Sequence, residues 1–236
     1  MEIINSKFIF TNFWFDFTKN MEAVQEILQF LDLNTRIDLK GTALESILGL
    51  TASEEGANLL SNVKELFMLL VTIAEKDKSE AIRKDAALAL INLSANKDVA
   101  LKMTKLSDSD KLVNTLWSII VNKVYPSADP ACMILSNMTI EKVSCVNVYE
   151  ILTKNKVTMS KIIDVLCNQD NSTDEEKEKS PKLHYLGPFV SNLSQLSGVR
   201  EKLLADSCKL MSRLLPFTEY LTSSGEKYLN LSQNDK

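Results

Sequence analysis

The sequence predicts an all-α fold made of about four to five repeated helical units. A short motif recurs about every 45 residues, and within each copy apolar residues fall three or four positions apart, as on one face of a helix. Alternation typical of β-strands is absent after residue 20. Because periods of about 40–47 residues are typical of armadillo and HEAT arrays, we expect a right-handed α-solenoid.

The repeated motif ends each copy. It is found in residues 43–51 (ALESILGLT), 86–94 (AALALINLS), 131–139 (ACMILSNMT) and 187–194 (GPFVSNLS). The first three segments start 43 and then 45 residues apart, and Asn192 follows Asn137 by 55 residues. The extra length of the fourth copy indicates an insertion.

The first two copies predict helices in the following order. Residues 21–31 and 36–51 fit the last two helices of a first copy. In the second copy, EEGANLLSN, VKELFMLLVTIAE and SEAIRKDAALALINLSA each predict a helix. In the third of these, Ser79 is the expected N-cap, and one buried stripe is expected to contain Ile82, Ala86, Leu90 and Leu93.

The later copies follow the same order. NKDVALKMTK, DKLVNTLWSIIVNK and SADPACMILSNMT form the third copy, where Asp129 is the expected N-cap and Pro130 the first helical residue. In the fourth copy, Gly187 and Pro188 predict a kink or a late helix start near Phe189, because proline lacks a backbone donor. A fifth copy begins at Val199.

Three segments differ from the repeat domain, which we place at residues 21–221. Residues 1–20 hold six aromatic side chains, but polar residues break the apolar run and no small-residue cleavage site follows, which favours a poorly ordered appended segment over a signal or anchor. Residues 222–236 are predicted to be a disordered polar tail, and residues 168–182 a mobile acidic loop.

The acidic loop accounts for much of the net charge of −4. Two interpretations stay open: a contact for a basic partner, or a solvated loop with no specific role, which we favour. The candidate contact residues are Asp174, Glu175, Glu176 and Glu178.

The composition argues against an enzyme or a nucleic-acid binder. Lys and Arg number 27 against 31 Asp and Glu, so no basic excess is present to neutralise phosphates. Glycine-rich phosphate-binding motifs and a GxSxG motif are absent, and His184, the single histidine, lies among apolar residues. We therefore predict no catalytic residue and no cofactor.

The four cysteines are irregularly spaced and lie in apolar helical stretches. Without a CxxC pair or a second histidine, a metal site is not expected, and the cysteines are predicted to be small core residues. Free thiols without a signal peptide favour the cytoplasm, where Asn-x-Ser/Thr triplets stay unglycosylated. The cysteines are Cys132, Cys145, Cys167 and Cys208.

An asparagine recurs at one position of the repeated motif, as Asn92, Asn137 and Asn192, with Gly49 in the first copy. In armadillo proteins that grip extended peptides, such an asparagine bonds the ligand backbone and a tryptophan precedes it by one turn. Here the preceding residues are Leu88, Met133 and Pro188, which argues against that kind of groove. We favour a structural role for the amides and keep partner binding as the alternative.

Four stretches together resemble the Hgh-one family of armadillo-like proteins, also called brain protein sixteen. They are FLDLNTRIDLKGTALESILGLTASEEG, DAALALINLSA, SADPACMILSNMT and HYLGPFVSNLSQ, within a match over residues 22–221. The resemblance implies a cytoplasmic, non-enzymatic adaptor that binds newly made translation elongation factor two and recruits it to the TRiC/CCT chaperonin. The alternative is a generic armadillo scaffold for another protein or a linear peptide.

The resemblance also implies that the chain is the amino-terminal portion of a family member, because the match stops near Leu221. We expect a monomer that binds neither nucleic acid nor membrane. The face that a following repeat would cover is expected to contain Leu203, Leu204, Leu210, Leu214 and Leu215.

Overall fold

The structure, a computed structural model, describes residues 21–167 and 183–205, which form twelve α-helices and no strand. The helices are α1 (21–28), α2 (Ile37–Thr51), α3 (Glu54–Leu60), α4 (Lys64–Lys76), α5 (Glu80–Ala95), α6 (Lys97–Met103), α7 (Ser109–Val121), α8 (Ala128–Met138), α9 (Lys142–Lys154), α10 (Met159–Cys167), α11 (Leu186–Leu193) and α12 (Ser197–Leu204). The all-α prediction is confirmed for the described residues.

One hydrophobic core extends from Val24 to Leu203. The helices that end each copy pack against one another in chain order: α2 against α5, α5 against α8, and α8 against α11. We call these four the third helices. Leu90, Met138 and Leu193 are fully buried in this same core, so the copies share one interior.

Helix α5 forms as the sequence predicts. Ser79 is its N-cap, and the Ser79 hydroxyl accepts a hydrogen bond from the Ile82 N–H at 3.5 Å. Ile82, Ala86, Leu90 and Leu93 are all buried, which confirms the predicted stripe. Because α5 contacts α2, α4 and α8, this stripe and its flanks lie at the centre of the core.

The N-cap prediction for Asp129 is wrong. Helix α8 begins at Ala128, so Ser127 takes the capping position and Asp129 and Pro130 are already helical. The buried Ser127 hydroxyl donates to the Ala74 carbonyl at 2.6 Å and so satisfies an acceptor in the last turn of α4. Asp129 instead accepts a hydrogen bond from the Tyr185 N–H at 3.3 Å.

Pro188 produces no kink. Helix α11 begins at Leu186, so Pro188 is its third residue and lies in the first turn, where a backbone N–H has no intrahelical partner. The expected start near Phe189 is therefore wrong, because the helix begins at Leu186 and includes Gly187 and Pro188 in its first turn. Helix α11 is shorter than α5, with 8 residues against 16.

Several predictions concern residues outside the described ranges and stay predictions. They concern the segment 1–20, the acidic loop with Asp174, Glu175, Glu176 and Glu178, the tail 222–236, Cys208, Leu210, Leu214 and Leu215. Of the expected end face, Leu203 is buried and Leu204 is 76% exposed.

Within the described ranges, every helix taken singly is too short or too polar to cross a membrane. Helices α3 and α4 meet the length and composition criteria only when counted together, and the chain bends by 93° between them.

Candidate interaction surface

The three repeated asparagines join each third helix to the one before it. In each case the side-chain amide nitrogen donates to a hydroxyl of the preceding copy. Asn92 Nδ2 lies 2.9 Å from Thr51 Oγ1, Asn137 Nδ2 lies 3.1 Å from Ser94 Oγ, and Asn192 Nδ2 lies 3.4 Å from Thr139 Oγ1. Asn192 also donates to the Ser136 carbonyl at 2.8 Å.

The acceptor hydroxyl always lies two residues after the repeated position of its own copy. The triplets Gly49-Leu50-Thr51, Asn92-Leu93-Ser94 and Asn137-Met138-Thr139 thus supply the hydroxyl, and the asparagine of the following copy supplies the donor. Sequence reasoning identified the asparagines and favoured a structural role, which these bonds support. Sequence reasoning did not identify the acceptor hydroxyls, although a Ser or Thr recurs as the third residue of each triplet. Partner binding by the asparagines stays a prediction.

Since equivalent bonds link neighbouring third helices, equivalent positions on those helices lie side by side. One turn before each asparagine, or before Gly49, stand Glu45, Leu88, Met133 and Pro188, which we call the third-helix row. Leu88 is 46% exposed although it lies in the middle of α5, Glu45 and Pro188 are exposed, and Met133 is half-buried. The row therefore presents apolar side chains with one carboxylate at its α2 end.

Two carboxylates, Glu45 of α2 and Asp85 of α5, belong to that end of the row. The pKa of Asp85 is raised, first by partial burial and then by the negative charge of Glu45 on the neighbouring helix. Among the described residues neither carboxylate forms an ion pair or a side-chain hydrogen bond, and Lys84, which precedes Asp85 in the chain, pairs with Glu80 at 2.7 Å. These two carboxylates thus have no directly paired cation in the part of the chain that the structure describes.

This repulsion has a consequence for stability. A carboxyl whose pKa is higher in the folded state binds more protons when folded, so its ionisation lowers stability as the pH rises above 3.8, the ordinary pKa of an aspartate. We expect Asp85→Asn to raise the free energy of unfolding at pH 7 by about a few tenths of a kcal/mol. Urea denaturation at pH 7 and pH 4 measures this change. The gain should shrink at the lower pH, and a less stable variant at pH 7 would contradict the repulsion.

A second row of hydrogen bonds joins α3, α6, α9 and α12. Lys102 Nζ donates to Ser61 Oγ at 2.8 Å, Asn147 Nδ2 to Thr104 Oγ1 at 3.0 Å, and Lys202 Nζ to the Tyr149 hydroxyl at 2.7 Å. The first helix of each copy is thus tied to the first helix of the next, as the third helices are by the asparagines.

A cleft of about 430 Å³ opens between α6, the start of α7 and α9. Its charged lining is balanced, with Lys105 and Lys154 against Asp110 and Glu150, and Lys154 forms an ion pair with Asp110. This balance gives the cleft no preference for an ion of one sign.

The described cysteines pack as the sequence predicts. Cys132 and Cys145 are buried, and Cys167 is half-buried. Burial raises the pKa of both buried thiols, that of Cys145 to about 11, so they are protonated at neutral pH and poorly nucleophilic. In the part of the chain that the structure describes, no three His, Cys, Asp or Glu side chains gather as metal ligands would.

His184 lies at the surface beside the start of α8. Its side chain is 66% exposed, and Nδ1 is 3.0 Å from Asp129 Oδ2. Together with the Tyr185 N–H, this contact holds the segment before α11 against α8. His184 therefore helps to position the start of α11 against α8.

These features define a class of protein: an all-helical chain whose successive copies are joined by equivalent hydrogen bonds along two rows of helices. Residues 119–227 match a family model described as a domain of unknown function, DUF383. The chain is 32% identical to Protein HGH1 homolog of Drosophila melanogaster over 204 residues, which are 85% of this chain and 54% of that protein.

Two vertebrate relatives show the same likeness. Protein HGH1 homolog of Danio rerio is 33% identical over 84% of this chain and 50% of its own length, and that of Mus musculus is 34% identical over 86% and 50%. The chain belongs to the HGH1, or Hgh-one, family, and it spans about half the length of the curated relatives it matches.

Proposed function

We propose that this chain is a right-handed armadillo-like solenoid that acts as a non-enzymatic chaperone adaptor. It holds newly made translation elongation factor two and brings it to the TRiC/CCT chaperonin. The observation that carries the proposal is the third-helix row, a set of aligned and partly exposed apolar side chains on a chain of this family. An adaptor needs such a surface, and it needs no catalytic centre.

The spacing of the cross-copy bonds supports the solenoid. The third-helix bonds join residues 41, 43 and 53 positions apart, and the first-helix bonds join residues 41, 43 and 53 positions apart. Each separation is two residues shorter than the corresponding repeat spacing of 43, 45 and 55 residues, and the difference is the same at every boundary between copies. A solenoid is the arrangement in which each copy contacts its neighbours through the same positions.

The mechanism is tethering. A protein that holds a client through one surface and a chaperonin through another raises the client's effective concentration at the chaperonin, without a chemical step. The candidate contacts for the partners are Asn92, Asn137, Asn192 and the acidic loop. The adaptor acts as a monomer in the cytoplasm. The unpaired thiols of Cys132 and Cys145 support the reducing compartment.

A capture experiment tests the proposal. The tagged chain is incubated with eukaryotic cytosol, and the bound proteins are quantified by mass spectrometry. Elongation factor two and chaperonin subunits should dominate over a tag-only control. If one other protein dominates reproducibly, the generic scaffold replaces the adaptor.

The same capture with residues 168–182 deleted tests the acidic loop. An unchanged yield of both partners would show that the loop is a spacer, whereas loss of either partner would assign it a contact. Circular dichroism of the deletion variant serves as the folding control.

A further inference from the structure

The first of the third helices, α2, leaves one stripe of its surface open among the described residues. The stripe contains Leu39, Ser46 and Leu50, which are seven and four positions apart and therefore share one side of the helix. Leu39 is 42% exposed, Ser46 is exposed and Leu50 is half-buried. The equivalent positions of the second and third copies are all buried, and they hold Ile82, Ala89, Leu93, Ser127, Ile134 and Met138.

The buried equivalents of Leu39 face the preceding copy. Ile82 Cδ1 lies 3.8 Å from the position that a Cβ atom would take at Gly41 of α2, and the Ser127 hydroxyl donates to the Ala74 carbonyl of the second copy. These residues are covered because another copy stands before them. In the part of the chain that the structure describes, no copy stands before α2, so its stripe lacks the cover that each later third helix has.

Gly49 argues against a further repeat as the missing cover. At this position the later third helices carry the asparagines that bond to a hydroxyl of the copy before them. Glycine has no side chain to form this bond, so a second copy stacked end to end on α2 would lack a link that each described boundary between copies contains. The occupant of the stripe is therefore held by apolar contact and not by this bond.

We propose that residues 1–20 of the same chain cover the stripe and so cap the amino-terminal end of the helical stack. Phe30 and Ile37, which are 41% and 60% exposed and lie within ten residues of Leu39 in the chain, extend the apolar surface at that end of the stripe. Terminal units of a repeat array need such a cover, because their outer side has no neighbouring repeat. The inference stands independently of the adaptor proposal and its partners.

The position of this segment in the chain brings it to α2. In the second and third copies a first helix directly precedes the second helix, and residues 1–20 hold that place before α1. The first helices α6 and α9 each pack against the third helix of their own copy, which for the first copy is α2. Helix α2 has 15 residues and is about 22 Å long, whereas twenty residues can span at most about 66–72 Å, so the segment reaches the whole stripe.

The composition of the segment fits an apolar surface. It carries six aromatic side chains, each of which buries about 150–250 Å² when packed. Its two lysines are balanced by one glutamate and one aspartate, so no net side-chain charge opposes docking. Because the segment is joined directly to α1, its effective concentration at the stripe is of millimolar order, which favours it over the same segment of a second chain.

Acrylamide quenching of Trp14 fluorescence in the intact chain tests the inference. The chain has two tryptophans, and subtracting the signal of the Trp14→Phe variant removes that of the buried Trp117. We expect Trp14 to be quenched less than in a synthetic peptide of residues 1–20, and equally at low and high protein concentration. Leu39→Glu with Ser46→Glu should raise the quenching to that of the peptide, because docking would then bury two charges under aromatic side chains.

A milder variant of the same surface is Ile37→Glu, since α5 carries Glu80 at the equivalent position and is helical there. It should raise the quenching of Trp14 in the same direction. The matched control makes the two changes of the double variant elsewhere, as Val143→Glu with Ser107→Glu, both exposed, and should leave the quenching unchanged. Circular dichroism confirms that all three variants keep their helices.

Three results would overturn the inference. The first is quenching of Trp14 in the parent chain equal to that of the peptide, as for a poorly ordered segment. The second is shielding of Trp14 that survives the changes at Leu39, Ser46 and Ile37, which would place the segment elsewhere. The third is shielding that rises with protein concentration together with a dimer in sedimentation, which would make a second copy the occupant.

Discussion

Lys40→Met is expected to lower the free energy of unfolding by about 3–5 kcal/mol, because it leaves a buried carboxylate without its cation. Lys40 and Asp77 form an ion pair in which the two side chains are only 3% and 5% exposed. Asp77→Leu should cost a similar amount, since it leaves the buried ammonium group of Lys40 without its carboxylate. No other ion pair in the described residues is comparably buried.

The size of the effect follows from what the pair holds in place. Lys40 Nζ also donates to the Leu33 carbonyl at 3.0 Å, which fixes the turn before α2. Asp77 Oδ1 accepts from the Ser79 N–H at 2.9 Å, and the Asp77 carbonyl accepts from Arg83 at 2.7 Å. The pair therefore joins the start of α2 to the start of α5, across the boundary between the first two copies.

Urea denaturation of Lys40→Met, Asp77→Leu and the double variant checks the prediction. The double variant should lose less stability than either single variant, because two apolar side chains of similar size leave no unpaired charge. Arg36→Met serves as the control: Arg36 and Asp38 are 2.7 Å apart but 78% and 57% exposed, so the loss should be at most about 1 kcal/mol. A Lys40→Met protein within 1 kcal/mol of the parent chain would disprove the account.

Periodicity alone predicted most of the helices because each buries a regular stripe. The residues of α5 show this most clearly, since its cap and its buried positions could all be read from local spacing. Helix starts were less predictable where two neighbouring polar residues could each serve as the N-cap. At α8 the choice between Ser127 and Asp129 was decided by the Ala74 carbonyl, which is 53 residues away in the chain.

The buried ion pair was missed for a related reason. Its partners are 37 residues apart, and a lysine at a helix start is ordinarily exposed. A signal was nevertheless present, because Lys40 precedes Ala43, Leu44 and Ile47 by three, four and seven positions and so continues their buried stripe. A charged residue in a buried stripe predicts that an oppositely charged partner is buried beside it, but the local sequence does not identify that partner.

The candidate surface was predictable only in part. The repeated triplets gave the positions of the asparagines, and the residues one turn earlier could be named from them. The packing of α2 against α5 determines that Leu88 is exposed and that the charge of Glu45 raises the pKa of Asp85. The spacing of residues within either helix does not predict this packing.

The triple variant with alanine at Asn92, Asn137 and Asn192 is expected to lose about 3 kcal/mol of stability. Each change removes one side-chain donor to the preceding copy, worth about 1 kcal/mol. The three donors have separate acceptors, so the losses should add to within a few tenths of a kcal/mol. Denaturation of the three single variants and the triple variant measures both the size and the additivity.

Asn114→Ala is the matched control, because this half-buried asparagine of α7 has no side-chain bond to another copy in the described residues, and its loss should stay within about 0.5 kcal/mol. The same proteins decide between the two roles considered for the asparagines. If the triple variant keeps its stability but no longer captures elongation factor two, the amides serve the partner and not the stack. If stability falls while the fraction that remains folded still captures the factor, the amides align the third helices, and the side chains one turn earlier form the contact.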